Sequence, residues 1–119
     1  MKPDSTLLFV EDDPRLRFLT ERALQNRFER LIVAGGATEA LDLFGHNHNI
    51  NGVFTDIVMP GGMNGVAMAK IMRERRPEVR FLMTTGDPGF KTPQWPHCAF
   101  LGKPYSKDQL LAALHLLFL

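Results

Sequence analysis

The chain has 119 residues, 45% hydrophobic and 23% charged, with 14 basic against 13 acidic side chains and a formal net charge of +1. That length suits one domain with one core, residues 1–119, and the composition excludes a disordered chain. The near balance of charge gives no global reason to expect nucleic acid or a membrane surface as a partner, and the single cysteine, Cys98, leaves no internal disulfide, which fits a reducing compartment.

Taken in chain order, short apolar runs alternate with helix-like segments. TLLFV (6–10) reads as a strand. Asp13 followed by Pro14 then gives an N-cap with proline in the first turn, and Leu16, Leu19, Ala23 and Leu24 fall on one helical face. LIVA (31–34) is a second strand, and Thr38 opens TEALDLFGHN with Ala40, Leu41 and Phe44 at helical spacing. GVFTD (52–56) is a third strand, and Asn64 opens a helix that Pro77 ends. VRFLMT (79–84) and CAFLG (98–102) are the fourth and fifth strands. Between these last two lies GDPGFKTPQWPH, whose Pro88, Pro93 and Pro96 predict a helix that is short, distorted or missing. Ser106 with Gln109 three residues on is a capping-box pattern for the final helix. No secretory pattern is visible, since Lys2 is followed by Pro3 and Asp4. The longest apolar stretch, LLAALHLLFL, is well short of the ~20 residues that span a bilayer. The expected setting is the cytoplasm.

Five strands alternating with helices imply an α/β domain, a doubly wound parallel sheet covered on both faces. Ligands of such sheets bind outside the carboxyl ends of the strands. Glu11, Asp12 and Asp13 follow the first strand, Asp56 ends the third, Thr84, Thr85 and Gly86 follow the fourth, and Lys103 and Pro104 follow the fifth. In the common strand order 2-1-3-4-5 the first and third strands are neighbours, which brings Glu11 and Asp12 beside Asp56. Two carboxylates ~4 Å apart repel by about 4 kcal/mol at an effective dielectric of ~20, so the cluster calls for a cation or a proton. Oxygen donors alone suit Mg²⁺ or Mn²⁺. Lys103 adds a positive charge and Thr85 a hydroxyl, the parts that stabilise a phosphoryl group in transfer, with Asp56 as candidate nucleophile.

FVEDDP (9–14), TDIVMPGGMNG (55–65), MTTG (83–86) and FLGKPY (100–105) together resemble the receiver domain of bacterial response regulators, a flavodoxin-like fold, over essentially the whole chain. The resemblance implies that Glu11 and Asp12 are the acidic pair that helps to hold Mg²⁺ and that Asp56 is the phosphoacceptor. It implies that the Val58 carbonyl is a further metal ligand and that Thr85 is the switch hydroxyl. Phe100 corresponds to the switch aromatic and Lys103 to the family's lysine, and the Lys103–Pro104 peptide is one that is often cis in relatives. It further implies phosphoryl donation by a histidine kinase or phosphotransfer protein, a downstream protein that the sequence does not name, and no enzymatic activity beyond self-phosphorylation and autodephosphorylation. The extra glycine of MPGGMNG resembles receivers attached to hybrid sensor kinases. The proline-rich segment departs from the family pattern and puts the usual output surface in doubt.

Other readings stand beside these. Asp13 suits a helix cap rather than a ligand, and Thr84 a structural strand end. His46 and His48 show no third ligand, and the basic run RERRPEVR (73–80) suits a helix C-terminus rather than nucleic acid. Trp95 is either a packing anchor or part of a partner surface. The apolar end LLFL suggests dimerisation or a longer chain. A non-phosphorylated interaction module of the same fold is the alternative function. A haloacid-dehalogenase-like phosphatase would want Asp where Glu11 stands.

Overall fold

The computed structural model describes residues 5–59, 61 and 63–118. Five parallel strands form one sheet in the order β2-β1-β3-β4-β5. The strands are β1 (Thr6–Val10), β2 (Arg30–Ala34), β3 (Gly52–Asp56), β4 (Arg80–Thr85) and β5 (Cys98–Gly102), and the helices are α1 (Pro14–Leu24), α2 (Ala37–His46), α3 (Gly65–Arg75) and α4 (Lys107–Leu117). β1 is buried along its whole length, and β3 and β4 are buried except at their ends, as near-continuous apolar runs in a doubly covered sheet require. Two apolar layers result. Leu8, Val10, Phe44, Val53, Met68, Met72 and Phe81 lie on one side of the sheet, and Leu7, Phe9, Phe54, Leu82, Leu110 and Leu114 on the other.

Local chemistry sets the helix starts. Asp13 Oδ1 accepts from the amides of Arg15 (2.9 Å) and Leu16 (3.4 Å), ahead of Pro14 in the first turn. Asn64 Oδ1 accepts from Ala67 N at 2.8 Å, and Ser106 with Gln109 forms a reciprocal capping box. α2 begins at Ala37, one residue before Thr38, with Gly36 as a cap that offers no side chain.

α1 departs from its apolar pattern. Leu24 is its one buried residue, whereas Leu16 (46% exposed), Phe18 (58%) and Leu19 (62%) face solvent. No helix forms between β4 and β5. The three prolines leave an irregular segment that turns at Asp87, whose carboxylate accepts from Gly89 N at 2.9 Å. Phe90 and Trp95 pack this segment onto the core, and the Arg73 guanidinium on α3 stacks 4.6 Å from the centre of the Trp95 ring. Trp95 is therefore a packing anchor.

At the chain's end Leu117 and Phe118 are buried, and the Phe118 ring fills the space that a side chain on Gly52 would need. Leu116 stays 68% exposed, and Leu119 lies outside the described residues. The basic run has an internal use, since Arg76 donates to the main-chain carbonyls of Phe44 and Asn47 and covers the Phe44 ring, capping the end of α2. His46 turns back onto Asp42 of its own helix. Burial pushes the Cys98 thiol up to about 11 against the opposing pull of Arg73, which leaves it unreactive at neutral pH. Among the described residues no helix is long and apolar enough to cross a membrane.

Candidate functional site at the carboxyl edge of the sheet

Strand register assembles the site. β3 lies between β1 and β4, with Val10 opposite Thr55 and Asp56 opposite Thr84, so the loops after β1, β3 and β4 open on one edge. The Ile57 amide donates to the Thr84 carbonyl at 2.9 Å and the Lys103 amide to the Thr85 carbonyl at 2.9 Å, which ties the loops after β3 and β5 to β4. The Lys103–Pro104 peptide is cis.

Lys103 Nζ donates to Asp56 Oδ2 at 2.6 Å, with the Asp56 side chain 13% and the Lys103 side chain 33% exposed. Burial would lower the Lys103 pKa, but the hydrogen bond and charge of Asp56, with the Glu11 charge behind them, outweigh it and hold the ammonium above its ordinary range. Glu11 is buried, its Oε2 accepting from Asp13 N at 3.1 Å. Burial pushes its pKa up, the Asp13 amide opposes this, and a hydrogen bond with Asp12 and the charges of Asp56 and Asp12 add to the rise. Glu11 thus feels the charges of both Asp12 and Asp56.

Glycine at position 65 allows the close approach that seats α3 behind Asp56. Gly65 N donates to the Ile57 carbonyl at 2.7 Å, and a Cβ there would overlap the main-chain carbonyl of Asp56.

The remaining residues singled out in the sequence are placed around this centre. The Thr85 hydroxyl accepts from Asp87 N at 3.1 Å, within its own loop. Phe100 is half-buried against the core with Phe90 and Trp95. Val58, two residues after Asp56, is 68% exposed. Pro60 and Gly62 of the loop MPGGMNG lie outside the described residues.

Two neighbours went unassigned in the sequence. Tyr105 lines a groove of about 450 Å³ with Glu11, Leu16, Thr20, Lys103 and Pro104. Its phenol is pushed up by burial, against the pull of Lys103 and with the charges of Glu11 and Asp56 adding to the rise. Arg17 reaches from α1 to the Glu11 main-chain carbonyl, Nη1 donating at 3.0 Å. The signal for Tyr105 was its position two residues after Lys103; for Arg17 there was none.

Glu11, Asp12 and Asp56, oxygen donors on the neighbouring loop after β1 and the end of β3, suit a hard divalent cation by their chemistry. As the side chains stand, no three acidic, histidine or cysteine groups among the described residues gather as a metal cage.

The profile of the response regulator receiver domain matches residues 7–115. The chain belongs to the response regulator receiver family. This receiver domain is 32% identical over 111 residues to the sensor kinase CckA of Brucella abortus (strain 2308), covering 89% of the present chain and 12% of that protein. It thus spans only a small part of that relative's length. Among solved structures, a response regulator receiver protein from Sinorhizobium medicae WSM419 superposes with a TM-score of 0.84 at 23% identity, covering 95% of this chain and 93% of the other. The receiver domain of the hybrid histidine kinase CckA gives 0.81 at 24% identity, covering 97% and 100%. Both share the five-stranded flavodoxin-like fold.

Proposed function

We propose that this receiver domain accepts a phosphoryl group on Asp56 from a phosphohistidine of a kinase or phosphotransfer protein, and that the modified state changes which partner it binds. The Lys103–Asp56 pair carries the reading: a largely buried carboxylate at the ligand-binding edge of the sheet, in contact with a single flexible cation. In the transfer an Asp56 carboxylate oxygen forms the new O–P bond as the donor's N–P bond breaks, and the electron pair leaves with the imidazole, which takes up a proton. Lys103 neutralises one phosphoryl oxygen. Glu11, Asp12, Asp56 and the Val58 carbonyl would hold Mg²⁺, which when bound neutralises charge on the phosphoryl oxygens. The Thr85 hydroxyl, which accepts from the Asp87 amide of its own loop, would turn toward the new oxygens, and Phe100 would follow.

The donor would approach over α1, where Leu16, Phe18 and Leu19 stand exposed beside the groove that ends at Glu11 and Lys103. Similarity to a sensor kinase supports a place in a phosphorelay on the cytoplasmic side, as the receiver of a hybrid kinase or as a separate regulator.

Incubation with Mg²⁺ and a small acyl phosphate, followed by intact mass, tests this. One phosphoryl group is expected on the wild type, lost with time as the acyl phosphate hydrolyses, and none on Asp56→Asn. A wild type that takes no label from an acyl phosphate or a phosphohistidine donor is instead a protein-interaction module of the same fold.

A further inference from the structure

We propose that Arg17 is a positioning residue for the acidic pair after β1, fixing the peptide from which Asp12 projects so that the pair is set to receive a divalent cation; the proposal rests on the magnesium reading above.

The Glu11 carbonyl to which Arg17 Nη1 donates belongs to the peptide unit joining Glu11 to Asp12. The neighbouring backbone groups are tied as well: Glu11 N donates to the Ala34 carbonyl at 3.0 Å, Asp13 N to Glu11 Oε2 at 3.1 Å, and Arg17 N to the Asp13 carbonyl at 2.9 Å. Arg17 supplies the one side-chain donor to that peptide's carbonyl among the described residues. Its guanidinium also lies over Gly35 at the end of β2, where a Cβ would come within 3.2 Å of Nη1. The acidic loop is therefore strapped between α1 and the β2–α2 turn.

The orientation of α1 gives this strap its significance. Arg17 is half-buried while Leu16 and Leu19, on either side of it in the chain, face solvent. Burying a leucine stabilises a fold, and withdrawing a guanidinium from water opposes it. A helix set by packing alone would present the leucines to the sheet and the arginine to water. The reverse arrangement places a charged donor on the loop that carries both acids. Groups that orient ligands from behind are worth about 10- to 100-fold in metal affinity.

Mg²⁺ titration of the whole chain, followed by calorimetry or by backbone amide shifts, tests the assignment together with the melting temperature in metal-free buffer. Arg17→Met is expected to raise the Mg²⁺ dissociation constant about tenfold with the fold retained. Arg17→Lys, which keeps a charged donor on a flexible stem, is expected to lose less, about threefold, and serves as the test if the methionine variant does not fold. Dissociation constants within twofold of wild type for the folded variants would overturn the role of Arg17 and leave the magnesium reading standing. A wild type that binds no Mg²⁺ would overturn both.

Discussion

Lys103 Nζ and Asp56 Oδ2 lie 2.6 Å apart, although 47 residues separate them in the chain. The lysine neutralises the carboxylate that is proposed to react. Lys103→Met should therefore separate two properties. Mg²⁺ affinity is expected to hold or rise, because a competing cation has left the carboxylate. Labelling by an acyl phosphate should slow by about 10²-fold, the usual cost of removing one donor from a developing oxyanion. Labelling rates at saturating Mg²⁺ check this, and an unchanged rate would remove Lys103 from the chemistry.

Glu11 gives a pH dependence with a definite sign. Its folded pKa stands above the ordinary 4.5 because burial and the neighbouring charges of Asp12 and Asp56 disfavour the ionised form. Through the window from 4.5 up to the folded value the native state holds more protons than the unfolded chain. Stability from this group is full below 4.5 and is lost as pH rises through the folded pKa. Glu11→Gln should remove that loss. In metal-free buffer at pH 7 its melting temperature is expected to rise, and its stability should vary less across the window. The same variant should bind Mg²⁺ more weakly. Thermal melts across the acid range with chelator present provide the check.

Gly65 couples the third helix to the site. A methyl group at this position would overlap the Asp56 carbonyl, backbone rather than a side-chain tip that could swing away. Gly65→Ala should cost about 1–3 kcal/mol in urea unfolding, the range for overpacking a tight contact. It should also slow labelling by shifting the peptide that carries Asp56. A loss of stability with an unchanged labelling rate would show that the shift is absorbed by α3 alone.

The legibility of this fold in its sequence follows physical range. The parallel sheet and the edge on which Asp56 and Lys103 meet depend on apolar runs ending in polar residues, a pattern that survives any detail of packing, whereas the strand order came from the common doubly wound topology. That a regular helix would fail between β4 and β5 was legible because proline acts on its own backbone, whatever the context, but the prolines did not decide between a short, a distorted and a missing helix. The outward face of α1 was not. Leu16 and Leu19 repeat at helical spacing, and periodicity shows only that apolar residues share a face, not that Arg17 is drawn inward by the Glu11 carbonyl. The orientation of the Thr85 hydroxyl toward Asp87 is a rotamer choice settled within one loop, below what residue spacing encodes. Trp95 stayed ambiguous in sequence because its stacking partner, Arg73, lies on a helix on the far side of β4 in the chain.

That last contact supplies a test of how the segment replacing the helix is held. Phe90 and Trp95 anchor residues 87–97 on the same side of the sheet as Phe100, and Arg73 covers the Trp95 ring from α3. A partly exposed cation–π pair contributes about 0.5–1 kcal/mol. Arg73→Ala should therefore lower the melting temperature by only about 3 °C. Its local effect should be larger, with faster amide exchange confined to residues 87–97 and a red shift of the single tryptophan's emission as the ring gains contact with water. The same emission should respond to labelling of Asp56 in the wild type, because a movement of Phe100 disturbs the apolar layer on which Trp95 rests. Emission that is blind to labelling, with Asp56 fully modified by mass, would show that Phe100 and this segment do not move together.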